Sequence, residues 1–82
     1  MKKKFRFVVC IDNTEYPASL ELHKIYRVLP DEEALADGDM RIIDESGEDY
    51  LYPADYFLPL PVAKTVETRL QNSFARLGTA AA

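Results

Sequence analysis

The side chains able to do acid–base or covalent chemistry are few and scattered: one histidine, one cysteine, and fourteen carboxylates spread along the chain. His23 has no second histidine and no thiol pair with which to hold zinc, and its place between Leu22 and Lys24 suits a turn rather than a ligand set. Cys10 sits among Val9, Ile11 and Asp12, whereas a reactive thiol needs electropositive, partly exposed surroundings; it is expected as a small core residue. A lone cysteine also excludes an internal disulfide and points to a reducing cytoplasm. The densest run of acids, P-D-E-E-A-L-A-D-G-D from Pro30 to Asp39, offers hard oxygens to calcium but lacks the alternating acids, central glycine and distant glutamate of an EF-hand. A solvated acidic loop is the expectation there. No nucleophile–base pair, phosphate-binding glycine loop or metal-ligand set appears, so no catalytic, cofactor or metal residues are assigned and the chain is expected not to be an enzyme.

Contact chemistry remains. Tyr16 precedes Pro17 in a loop, and Pro53 and Tyr56 stand together in Y-L-Y-P-A-D-Y-F. Aromatic and proline side chains at a rim suit a protein or peptide ligand. Tyr16 is either such a contact or a lid folded over the core. Tyr50 and Tyr52 are the candidates for core or cross-strand packing, the reading favoured for Tyr52, and Pro53 and Tyr56 are the expected rim pair.

Charge narrows the ligand. The net charge of −4 hides a segregation: Lys2, Lys3, Lys4 and Arg6 give the first six residues +4, residues 12–55 carry −10, and residues 56–82 carry +2. A body this acidic repels phosphate backbones and favours a basic partner, so no nucleic acid is expected. The opening M-K-K-K-F-R-F-V-V-C-I-D has an apolar run too short for a signal peptide, and no stretch approaches a membrane span.

The elements that must position these residues are legible from the pattern. F-R-F-V-V-C-I is a first strand, with Phe5, Phe7, Val9 and Ile11 on one face and Val8 and Cys10 on the other, covered in part on both sides. Ile25–Leu29 is a second strand, with Leu20, Leu22, Tyr26 and Val28 facing one core. Asp31 caps a helical turn that Gly38 ends. Met40–Asp44 and Tyr50–Tyr52 form a hairpin around Gly47. Pro53–Tyr56 forms one 3₁₀ turn, and Phe57–Leu60 a last strand at an edge, because Pro59 lacks an N–H. Beyond Pro61 the spacing of Ala63, Val66, Leu70, Phe74 and Leu77 predicts an amphipathic helix ending at Gly78. Eighty-two residues make one domain, with residues 1–61 as the β unit and 62–82 as helix and tail.

Five short strands with a long first loop, an acidic second loop, a tight third turn and a 3₁₀ turn before the last strand resemble the SH3 family, most directly in Y-L-Y-P-A-D-Y-F. The resemblance implies a mainly β, five-stranded SH3-like antiparallel barrel with a C-terminal α-helix. It places Pro53 and Tyr56 at positions that line the family's groove for proline-rich peptides. The chain is also similar to small bacterial SH3-like proteins of uncharacterised function, through I-D-E-S-G-E-D-Y-L-Y-P and through L-E-L-H-K-I-Y-R-V, where His23 replaces a glycine. Tryptophan is absent from the third strand, where Met40 and Arg41 stand, and Ile11 takes the place of a groove tyrosine. These departures imply a ligand other than a standard proline-rich peptide. The expected role is a protein-interaction module binding through Tyr16, Pro53 and Tyr56. The alternative is self-assembly, including a homodimer, or partner docking through Val66, Leu70, Phe74 and Leu77, unless that stripe caps the barrel of its own chain.

Overall fold

The computed structural model describes residues 6–81, with C-terminal helix side chains through Arg76. Phe5 and the Lys2–Lys4 arm lie outside the described residues, as does the side chain of Leu77. The elements are β1 (Phe7–Cys10), β2 (Ile25–Leu29), α1 (Glu32–Ala36), β3 (Asp39–Ile43), β4 (Asp49–Pro53), a 3₁₀ turn (Ala54–Tyr56), β5 (Phe57–Pro59) and α2 (Lys64–Ala81).

The strands form one antiparallel sheet in the order β4-β3-β2-β1-β5. It is open rather than closed into a barrel by strand pairing, because β4 and β5 each pair on one side only. Local chemistry explains the opening. The Ala54 N–H donates to Gly38 O at 2.9 Å and the Ile11 N–H to Tyr56 O at 2.7 Å, so the 3₁₀ turn spends these hydrogen bonds extending the β3–β4 and β1–β5 ladders rather than joining β4 to β5. Pro53 on β4 and Pro59 on β5 also deny a direct β4–β5 ladder two of its donors.

The core lies on one face of the sheet. Val8 opposes Tyr26, Val28 opposes Ile42, Met40 opposes Tyr52 and Cys10 opposes Phe57, so the pleat brings these side chains to the same side. Leu20 and Tyr56 complete the buried cluster, with Tyr16, Val28 and Ala54 packed against it. Strand alternation in β1 is as expected, but Val8 and Cys10 point into this core, while Phe7 is buried on the opposite face and Ile11 is exposed. Leu22 is exposed too, because His23 adopts a left-handed conformation (φ 64°) and turns the chain before β2 begins.

The second face is covered by α2. The Phe74 ring stacks on Phe7 with centroids 5.8 Å apart, the Arg27 guanidinium lies 5.0 Å from the Phe74 centroid, and Arg6 Nε pairs with Glu67 Oε2 at 3.2 Å. Hence β1 is covered on both sides. The helix runs past Gly78 to Ala81. A single glycine costs a helix only about 1 kcal/mol, and neither a proline nor a competing cap follows it here. Asp31 caps α1 through Ala34 N at 3.0 Å, and Gly38 follows with φ 86°.

Candidate functional site

A cluster of four tyrosines gathers at one end of the core face. Tyr16 reaches it from the β1–β2 loop, which is itself tightly folded. Asp12 Oδ1 accepts from the Thr14 amide at 2.9 Å and hydroxyl at 2.6 Å, Asn13 Nδ2 donates to Leu20 O at 2.8 Å, and the Ser19 and Leu20 amides both donate to Tyr16 O. The Tyr16 ring meets Tyr52 edge-on, with centroids 4.9 Å apart at 85°, and lies 6.2 Å from Tyr56 and 6.4 Å from Tyr50. Tyr50 and Tyr52, two residues apart on β4, share a face at 5.2 Å.

The roles within the cluster differ from the expectation. Tyr56 is only 9% exposed and belongs to the buried core, whereas Tyr50 is 55% exposed. Tyr16 folds over the core as a lid, half-buried over Tyr52, while its ring edges the exposed Tyr50. Pro53 is half-buried at the end of β4. Tyr50 was missed because D-Y-L-Y alternates whichever end of the strand is covered. The signal that could have found it is its place two residues toward the hairpin tip from Tyr52, where less of the chain remains to cover it.

Carboxylates flank the rings. The Tyr52 hydroxyl donates to Asp44 Oδ2 at 2.5 Å, and burial followed by this bond pushes the phenol up to about 12. Burial works against ionisation of Asp44, but hydrogen bonds from the Ser46 hydroxyl and from Tyr52 outweigh it and hold the carboxyl below its ordinary value. The Tyr56 hydroxyl donates to Glu15 at 3.3 Å, and its phenol is raised by burial and by the negative charges of Glu15 and Asp12. A third phenol, Tyr26, donates to Glu45 Oε2 at 2.5 Å and accepts from the Glu21 N–H at 2.7 Å, while Lys24 Nζ reaches the same Glu45 oxygen at 2.7 Å. Burial and the Glu45 bond push Tyr26 upward as well. These phenols are neutral donors: Tyr52 ties β4 to the hairpin turn, Tyr26 ties β2 to the same turn, and Tyr56 ties the 3₁₀ turn to the β1–β2 loop.

A separate groove of about 250 Å³ lies beside α2, lined by Ile25, Arg27, Ile43, Asp44, Glu45 and Phe74 among others. Its two carboxylates are already engaged by the core phenols and by Lys24, so it presents no free acid–base pair. Of the α2 stripe, Phe74 is committed to Phe7 and Leu70 is half-buried, while Val66 is exposed. Arg41 joins the α1 cap to β4, with Nε 2.8 Å from Asp31 and Nη1 2.7 Å from Asp49.

Among the described residues no group of three or more His, Cys, Asp or Glu side chains is placed to hold a metal ion, and no helix is long and apolar enough to cross a membrane. Comparison of the chain with protein families, curated proteins and solved structures finds no match. The open rim around Tyr50 and Tyr16 is bordered by Asp12, Glu15 and Asp44.

Proposed function

We propose that the chain is a non-enzymatic interaction module whose Tyr16–Tyr50 rim receives a protein or peptide segment carrying basic and apolar side chains. The carrying observation is Tyr50, a residue left 55% exposed beside packed tyrosines, with carboxylates near the cluster. A ring so placed offers its face to a cation while the acids attract one, and the −10 of residues 12–55 extends that attraction over the surface. The SH3-like resemblance supports the same reading, with the open sheet taken as a barrel that the 3₁₀ turn completes. In that frame Tyr56 forms the floor of the groove and Tyr50 supplies the exposed wall. The setting proposed is a reducing cytoplasm, in keeping with the single buried thiol. Assembly through α2 is the weaker alternative because Phe74 is stacked on its own sheet.

Selection of random twelve-residue peptides displayed on phage tests this. The expected pool is enriched in Lys or Arg alternating with aliphatic residues, and its binding falls with added salt and in Tyr50→Ala. A pool without basic enrichment, or one that binds Tyr50→Ala as well as wild type, refutes the reading.

A further inference from the structure

The sheet's two edges are not equivalent, and the hydrogen-bond phase shows how. Asp44 N–H donates to Glu48 O at one end of the β3–β4 ladder, and Ala54 N–H donates to Gly38 O at the other. With Met40 opposite Tyr52 and Ile42 opposite Tyr50, both ends fix the same phase: residues 50 and 52 bond inward to β3. Asp49, Leu51 and Pro53 therefore turn their backbone groups outward, and among the described residues neither the Asp49 nor the Leu51 amide has a backbone partner outside the ladder. On β5 the bonds Ile11 N–H to Tyr56 O and Leu60 N–H to Phe7 O place Phe57 and Pro59 outward. That strand is three residues long; Pro59 has no N–H and the Phe57 N–H already donates to Ala54 O, so neither of its outward residues offers a free donor. The outer edge of β4 keeps two donors and the matching acceptors in one short row.

Side-chain chemistry along this row is asymmetric. Tyr50 stands on the core face next to Tyr16, where Glu15 and Asp44 supply negative charge around the tyrosines. Leu51, 38% exposed, stands on the other face, in the cross-strand row of Arg41 and the exposed Leu29. The Arg41 charge on that side is already neutralised by Asp31 and Asp49.

Resting on the interaction-module reading, we infer that the outer edge of β4 accepts an extended segment of a partner protein as a sixth, antiparallel strand. The residue opposite Tyr50 is basic, and the residues opposite Asp49 and Leu51 are aliphatic. Residues opposite Asp49 and Leu51 exchange both backbone bonds with them and share their face, while the residue between lies over the Tyr50 ring. Pro53 ends the row, so the added strand is short and its register is set by Leu51.

The test is an ¹H–¹⁵N titration of the full chain with acetyl-Lys-Val-Lys-Val-Lys-amide. The expected result is a saturable shift of the Asp49 and Leu51 amides with slowed solvent exchange at both. Affinity falls about tenfold or more when both valines are N-methylated, which removes two backbone hydrogen bonds, and about fivefold when the protein carries Leu51→Pro, which removes one. The Leu51 N–H points away from β3, so that proline removes no ladder bond, and the N-methylated peptide asks the same question of the unaltered protein. Binding that survives both changes but is lost in Tyr50→Ala overturns the edge and leaves the rim reading standing. Equal binding of the Glu-for-Lys peptide, or no saturable shift at any of these residues, overturns the inference. Protection of the two amides that grows with protein concentration in the absence of peptide assigns the edge to a second copy and overturns it as well.

Discussion

Replacing His23 with glycine should stabilise the protein. Among the described residues His23 is the one non-glycine residue at positive φ, 64°, and its N–H donates to Cys10 O at 2.7 Å, closing the entry to β2. The conformation is thus imposed by the ladder, and the exposed imidazole adds no core packing. An L-residue held left-handed costs about 1–2 kcal/mol, which glycine does not incur. Glycine returns about 0.5–1 kcal/mol of that through the greater freedom of the unfolded chain, leaving a net gain of about 0.5–1 kcal/mol. Over 82 residues the unfolding entropy is about 0.17 kcal/mol/K, so Tm should rise by about 3–6 °C. Thermal unfolding followed by circular dichroism reads this directly, with His23→Val as the opposing control, since a β-branched residue fits the left-handed region worse. A His23→Gly protein that melts below wild type would refute the reasoning, because it would mean the imidazole holds the turn by contacts stronger than the strain.

Two further predictions separate fold from surface. Tyr56→Ala should lower the unfolding free energy in urea by about 3 kcal/mol, as expected for truncating a buried aromatic ring, whereas Tyr50→Ala, which loses only its ring contacts with Tyr52 and Tyr16, should lower it by about 1 kcal/mol; similar values for the two would contradict the burial difference. The Asp44–Tyr52 pair should give stability a plateau bounded at both ends. The lowered Asp44 carboxyl contributes above the ordinary carboxylate range and its contribution is lost as pH falls through the folded value, while the raised Tyr52 phenol contributes below about pH 10 and is lost as pH climbs toward about 12. In urea midpoints measured across pH, Asp44→Asn should flatten the acid limb; an unchanged acid limb would remove Asp44 from this role.

Much of the element order was legible because short-range rules govern it. Asp31 as a cap, Gly38 and Gly47 at positive φ, the 3₁₀ turn after Pro53, and Pro59 at an edge all follow from backbone sterics and from a missing N–H, which act within a few residues. Gly78 as a helix end followed from the same kind of rule but did not hold, since its cost is small beside an alanine-rich continuation. The side on which the core lies was not legible. β1 is apolar on both faces, and Val8 rather than Phe7 enters the main core because α2 takes the other side.

The same division applies to the candidate site. The amino-acid sequence by itself determined that aromatic and proline residues stand near an acidic turn and that residues 12–55 carry most of the negative charge. Only the tertiary structure decided which tyrosine faces water. Tyr16 arrives over Tyr52 from a loop more than thirty residues away, Glu15 ties down Tyr56, and the end of β4 leaves Tyr50 bare. The physical reason is that exposure depends on what distant segments cover, whereas alternation along a strand specifies only which residues share a face.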